Sequence, residues 1–379
     1  MHVTSAELFS LTLPLVEPFI LSGGAIRERR SLIVRLRDAQ GHTGYGEAPP
    51  FETPFYSEET LGTAREVIER VLLPRVVGRS FATAEHVDAA LRENVRGNPF
   101  ARAGVETAAW DLEAHAANSG LAGLLAGRLG IEAAGAIPCG VALGIPEDRQ
   151  LDTLHRRVSE ALELGYRRVK IKVMPGWDAA AVAAARSAMA GVDLPLTVDA
   201  NGAYQWPEHE AALRALDEAG LLYIEQPLAP DELVGHAYLA QRLRTPLCLD
   251  ETLKSASHAR QTLALGGPTV WNIKVHRVGG LSEALRIYRI AEAHEVELWA
   301  GTMPESGIGS QAPLAIAAFP AFVYASDLEP SSRWYGRNTD VIKLTMGKDG
   351  TMAVPDQSAA RLLDAARFES ATQLLASVP

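Results

Sequence analysis

Between Val169 and Lys274 five short apolar runs carry charge at their ends: Val169-Lys170-Ile171-Lys172-Val173, Leu196-Thr197-Val198-Asp199-Ala200-Asn201, Leu222-Tyr223-Ile224-Glu225-Gln226-Pro227, Leu247-Cys248-Leu249-Asp250-Glu251 and Trp271-Asn272-Ile273-Lys274. Each run has strand length, and the text between them is rich in Ala, Leu, Arg and Glu at helical spacing. Counting a sixth end near Trp299, the ends lie 27, 26, 25, 24 and 25 residues apart, one β-α unit per interval. Strands alternating with helices in this way build a parallel sheet. No Gly-x-Gly-x-x-Gly follows the first strand, so the α/β class resolves to a closed, eightfold parallel (β/α) barrel rather than a dinucleotide-binding doubly wound sheet.

In such a barrel the C-terminal strand ends surround the active site, so these charges converge on one mouth. Asp199, Glu225 and Asp250 on three neighbouring strands would repel one another in a low-dielectric site. A hard divalent cation with oxygen ligands removes that conflict, which implies Mg2+, with Mn2+ as the alternative ion. Alternate strand residues share a face, so Lys170 with Lys172, Asp199 with Asn201, and Asn272 with Lys274 form an inward set. A lysine beside a divalent cation and a second lysine is expected to have a lowered pKa, which suits a general base. Lysines on either side of a metal-bound substrate suit removal of a proton next to a carboxylate, with the metal neutralising the charge that develops on the carboxylate oxygens.

Working outward, residues 1 to about 60 read as two strands, Thr4 to Leu15 and Arg30 to Arg37, followed by the turn-rich run Pro49-Pro50-Phe51-Glu52-Thr53-Pro54. From Ser57 to Ser119 the apolar spacing becomes helical. The whole chain of 379 residues is 47% hydrophobic and 22% charged, an ordinary globular composition. A net charge of −10 without a basic, aromatic-interleaved run speaks against a nucleic-acid partner. The longest wholly apolar run, Ala312 to Ala325, has 14 residues and two prolines, too short for a membrane span. No secretory signal is read at the start, so a cytoplasmic location is expected. Cys139 and Cys248 sit in apolar runs and read as buried, reduced thiols.

Taken together, Lys-Ile-Lys, Asp-Ala-Asn, Ile-Glu-Gln-Pro-Leu, Leu-Asp-Glu and Asn-Ile-Lys, in that order, resemble the enolase superfamily and its muconate-lactonizing-enzyme-like branch. Pro175-Gly176-Trp177-Asp178 and the run from Arg244 to Glu251 look most like the o-succinylbenzoate synthase and N-succinylamino acid racemase group. The resemblance implies an α+β capping domain (1–128), a barrel (129–340) and a C-terminal segment (341–379) returning to the cap. It implies Mg2+ on Asp199, Glu225 and Asp250, the acid/base pair Lys172 and Lys274, and supporting roles for Lys170, Asn201 and Glu251. Cap loops around Phe19 to Gly24 and Phe51 to Tyr56 would close over a small-molecule carboxylate. Phe19, Ile20, Tyr56, Met303, Ser306, Gly307 and Gly309 are the substrate-contact candidates, the glycines through backbone N–H groups.

Within the group, the resemblance implies dehydration of a succinylated cyclohexadiene carboxylate to o-succinylbenzoate, a step of menaquinone synthesis. The nearest alternative is racemisation of N-succinyl or other N-acyl amino acids, or dipeptide epimerisation. Thr302 and Pro304 stand where racemase-capable relatives usually show Gly and Leu, which speaks for the synthase; Arg277 matches an arginine common in racemase-capable members. A Schiff-base aldolase using Lys172 or Lys274 would differ in being trapped by borohydride. A binding barrel without chemistry is disfavoured by the retained lysines and carboxylates. His276 reads as a solvated loop residue, and Trp177, Trp206 and Trp271 as core or loop filling. A homo-oligomer is compatible with everything above.

Overall fold

The computed structural model describes residues 1–21, 24–336 and 339–379, without the side chains of 18–21 and 24–26. The first unit is an antiparallel sheet of β1 (Val3–Leu21), β2 (Gly24–Asp38) and β3 (Thr43–Ala48). The strand β3, Thr-Gly-Tyr-Gly-Glu-Ala, adds to the two strands expected from the sequence; its glycines dilute the apolar alternation that would reveal it. Those glycines admit the 18-residue helix Pro99–Ala116: a Cβ at Gly44 would collide with the carbonyl of Ala108, and one at Gly46 with that of Gly104. Both faces of the sheet are buried. Leu8, Val34 and Leu36 join the main core, while Phe9, Leu11, Leu13 and Ile33 pack with Ile308, Tyr335, Val341, Ile342 and Phe368.

After the short β4 (Ala136–Pro138) comes the parallel sheet: β5 (Gly140–Leu143), β6 (Arg168–Lys172), β7 (Leu196–Asp199), β8 (Ile224–Glu225), β9 (Leu247–Leu249), β10 (Val270–Ile273) and β11 (Glu297–Ala300). These seven strands pair in strict sequence order. The expected strand ends are met to within one residue. The eighth position is held by residues 324–327. Asp327 N–H donates to Ala300 O (3.0 Å), Gly140 N–H donates to Ser326 O (2.7 Å), and Ser326 N–H donates to Pro138 O (3.1 Å), which links β11 back to β5. The eightfold expectation is thus met by seven strands and one bridging segment. The interior below the mouth is filled by Tyr223, Cys248, Val270 and Trp299, and both cysteines are buried and unpaired.

The chain then adds β12 (Thr351–Ala353), which pairs with β4, and β13 (Thr372–Val378), which pairs antiparallel with β1 at the edge of the first sheet. Asp111 of the long cap helix accepts from the N–H groups of Tyr45 (2.9 Å) and Ala359 (2.6 Å), tying this returning segment to β3. Among the described residues no helix is long and apolar enough to cross a membrane.

Two residues past the closing segment, buried Glu329 accepts from Ala142 N–H (3.2 Å), and its Oε2, 3.9 Å from Arg333 Nε, has no hydrogen-bond partner. Burial, which the charge of Arg333 only partly offsets, pushes its carboxyl from the usual 4.5 up to about 7. A carboxyl raised in this way is protonated more readily in the folded chain. Its contribution to stability is therefore complete below about 4.5 and is lost as pH rises through about 7. Between about pH 5 and about pH 8 the wild type is expected to lose about 2 kcal/mol relative to Glu329→Gln, whose amide stays neutral. Parallel urea-melt stabilities across that range would refute the assignment.

Candidate active site at the barrel mouth

On β6 every second residue is cationic and faces inward: Arg168, Lys170 and Lys172. Buried cations on a strand are tolerated only where each is matched by opposite charge and hydrogen bonds. Arg168 donates to Ala325 O (2.9 Å) and Thr197 Oγ1 (3.2 Å) and pairs with Asp327. Lys170 Nζ pairs with Asp327 (2.6 Å) and Glu225 (2.8 Å) and lies over the Trp299 ring. Lys172, one pleat higher and 31% exposed, donates to Asp199 Oδ2 (2.5 Å) and to Asn201. Parallel pairing sets Lys172, Asp199 and Glu225 side by side at the ends of β6, β7 and β8.

Across the mouth, Lys274 Nζ donates to Asp250 Oδ2 (2.9 Å) and Tyr56 Oη (3.1 Å), while Arg277 binds the other oxygen of Asp250. Glu251 Oε1 accepts from Asn201 (2.8 Å), and Glu225 Oε1 accepts from Asn272 (3.4 Å). Asp199, Glu225, Asp250, Glu251 and Asp327 thus stand with Arg168, Lys170, Lys172, Lys274 and Arg277, five acids against five cations, so the site is close to neutral although densely charged.

The electrostatics follow from this pairing. Burial alone would raise the Asp199 carboxyl, but the ammonium groups of Lys172 and Lys170 hold it below the usual range. Glu225 is raised, by burial first and by the charge of Asp199 second. Burial likewise raises Glu251. The acids of the site act on Lys170 and Lys274 in the opposite direction to the cation invoked from the sequence. Burial pulls both down, yet Asp327, Glu225 and Asp199 around Lys170, and Tyr56, Glu251 and Glu225 around Lys274, outweigh it and raise them.

Among the described residues no three His, Cys, Asp or Glu side chains are drawn together to grasp an ion, because each acid is turned to a lysine, an arginine or an amide. The donor set nevertheless fits a hard divalent cation: three carboxylates on adjacent strands, and two further buried oxygens, Glu251 Oε2 and Asn272 Oδ1, with no hydrogen-bond partner.

Several substrate-contact candidates have other partners. Glu47 of β3 accepts from Ser306 N–H (3.1 Å), Ser306 Oγ (2.5 Å) and Gly309 N–H (3.0 Å), and Asp340 accepts from Gly307 N–H (2.9 Å). The cradle read as an anion site is therefore filled by the protein's own carboxylates, and Ser306, Gly307 and Gly309 dock the barrel against the cap and the segment around Asp340. His276 is also corrected: it is buried, with Nδ1 2.9 Å from Glu305 Oε1. Tyr56 does reach the site, on Lys274, and packs with Met303, Phe51 and Phe100. The side chains of Phe19 and Ile20 lie outside the described residues.

Sequence reasoning misses Arg168, Asp327 and Gln226. The first two carry a usable signal: Arg168 continues the alternation of Lys170 and Lys172, and Asp327 follows an apolar run 28 residues after Trp299, close to the interval that locates the other strand ends.

A parallel barrel with this ring of strand-end lysines and carboxylates, under an α+β cap, defines a barrel enzyme of the enolase type. Residues 153–358 match the family described as enolase C-terminal domain-like. Residues 4–126 match the mandelate racemase / muconate lactonizing enzyme N-terminal domain. The chain belongs to the enolase superfamily, in its muconate-lactonizing-enzyme-like branch.

Over 360 residues the chain is 42% identical to an N-succinylamino acid racemase of Thermus thermophilus, covering 94% of this chain and 93% of the relative. It is 37% identical over 334 residues to an o-succinylbenzoate synthase of Bacillus subtilis, covering 88% and 87%. A solved enolase-superfamily member from Listeria innocua superposes with a TM-score of 0.91 at 32% identity, covering 100% of this chain and 98% of that one.

Proposed function

We propose that the protein is an o-succinylbenzoate synthase that dehydrates 2-succinyl-6-hydroxy-2,4-cyclohexadiene-1-carboxylate. The observation that carries this reading is the asymmetry of the two lysines. Lys274 is 11% exposed and clasped by Asp250 and Tyr56. Lys172 is 31% exposed at the mouth. β6 and β10 lie four positions apart in an eight-position barrel, so the lysines approach the substrate from opposite sides.

As its free amine, Lys172 takes the ring proton next to the carboxylate, giving an enediolate whose charge the Lys274 ammonium stabilises. Lys172 then returns that proton to the departing hydroxyl. Water leaves, a ring double bond forms and the product is aromatic. Asp199, Glu225 and Asp250 would hold Mg2+, with Mn2+ as the alternative, and the bound ion supplies neutralisation of the substrate carboxylate as its neighbouring carbon loses the proton. Asn201 and Glu251 orient the mouth around Lys172.

A second reading, racemisation of N-succinyl amino acids, is favoured by the 42% identical relative of that name and by Arg277 on Asp250. Here each lysine would serve one face of the α-carbon. Incubating the protein with Mg2+ in D2O, with the cyclohexadiene acid and separately with N-succinyl amino acids, tests both by proton NMR. Dehydration with negligible α-deuteration is the expected result. Rapid deuteration without dehydration would replace the synthase by the racemase.

A further inference from the structure

Gln226 follows the acid Glu225 directly, in the Ile-Glu-Gln-Pro run. It is wholly buried and holds φ 40°, a left-handed backbone uncommon for a residue other than glycine, asparagine or aspartate. Its backbone N–H donates to Cys248 O (2.8 Å) of β9, and its carbonyl accepts from Gly202 N–H (2.8 Å) beyond β7. Its side chain crosses to the loop after β9. There Oε1 accepts from the N–H groups of Asp250 (3.0 Å) and Thr252 (3.1 Å), and Nε2 donates to Thr252 Oγ1 (2.7 Å) and Leu228 O (2.9 Å). The full capacity of the amide, two donors and two lone pairs, is thus used, which fixes its orientation.

The residue behind it is equally fixed. His236 Nδ1 is 2.7 Å from Glu232 O and Nε2 is 3.3 Å from Leu228 N, which makes Nδ1 the donor and Nε2 the acceptor. Burial lowers His236 to about 4, so that this support stays neutral.

We infer that Gln226 is a positioning residue that sets the spacing of Glu225 and Asp250, and through it the affinity of the acid set for a divalent cation. The carboxylates sit on neighbouring strands that end at Glu225 and Leu249, so Asp250 lies just past the last strand residue. No described backbone bond of the ladder reaches Asp250 N–H; its acceptor is the amide of Gln226. The left-handed turn at Gln226 aims the side chain across that gap. Asparagine tolerates left-handed backbone better than glutamine but is one methylene shorter, so it separates relief of backbone strain from loss of the bridge.

This inference rests on the reading of Asp199, Glu225 and Asp250 as the cation site. The test is the rise in thermal midpoint with increasing Mg2+ for the wild type, Gln226→Asn and Thr252→Val, read without substrate. For Gln226→Asn the Mg2+ concentration giving half the maximal rise is expected to increase about tenfold or more, the usual effect of losing a group that orients a metal ligand. Thr252→Val, which removes one anchor of the amide and leaves Gln226 in place, is expected to move it about threefold in the same direction. A Gln226→Asn midpoint that depends on Mg2+ as the wild type does would overturn the inference, because a purely structural role shifts stability without shifting the Mg2+ dependence. If Gln226→Asn does not fold, an unchanged Mg2+ dependence in Thr252→Val overturns it equally. A wild type that gains no stability from Mg2+ would instead overturn the cation site itself, and the inference with it.

Discussion

Replacing Lys172 by alanine is expected to lower kcat for dehydration by about a thousandfold, within the range for loss of a general acid and base. The side chain takes the proton and returns it, so both halves of the reaction suffer and no exchange with D2O persists. The fold should survive: Asp199 keeps the Asn201 N–H at 2.9 Å and the Lys170 ammonium at 3.6 Å, so its buried charge is not orphaned. Parallel measurement of kcat and of the thermal midpoint separates the two effects. A Lys172→Ala protein that turns over within about tenfold of wild type would eliminate the mechanism. Lys274→Ala provides the contrast. It removes the stabilising cation and the contact to Tyr56, so turnover falls while Lys172 can still exchange a proton slowly on its own face.

The second large effect is expected from Glu225→Gln. Glu225 is the middle carboxylate, fully buried and bonded to Lys170 and Asn272. Neutralising it removes one charged oxygen donor from the three and leaves Lys170 paired to Asp327 at 2.6 Å. The protein should therefore fold, but kcat/KM should drop by at least about a hundredfold and cease to respond to Mg2+. In the wild type, EDTA should abolish turnover and added Mg2+ restore it. Wild-type-like turnover in Glu225→Gln, still sensitive to EDTA, would show that the cation is held elsewhere.

Lys170, Lys172, Asp199, Glu225, Asp250 and Lys274 are all legible in the amino-acid sequence, because a parallel strand exposes its role in a few consecutive residues: apolar alternation, then charge at the C-terminal end. The cap is harder to read. Its third strand is hidden by Gly44 and Gly46, whose purpose is to receive a helix more than fifty residues away. The glycines after Glu305 mislead for a related reason: a Gly-x-Gly turn looks the same whether a ligand or another part of the protein occupies it, and here Glu47 and Asp340 do.

By itself the sequence determined which residues stand at strand ends, the period of the β-α units, and which side chains share an inward face, since backbone periodicity enforces all of these locally. Only the tertiary structure decided who meets whom. Tyr56 reaches Lys274 across 218 residues, Arg168 finds Asp327 across 159, and Glu47 takes Ser306 across 259. Those pairings also decide which acids surround Lys274. Its pKa depends on which charges burial brings beside it, and that is settled when the barrel closes and the cap docks.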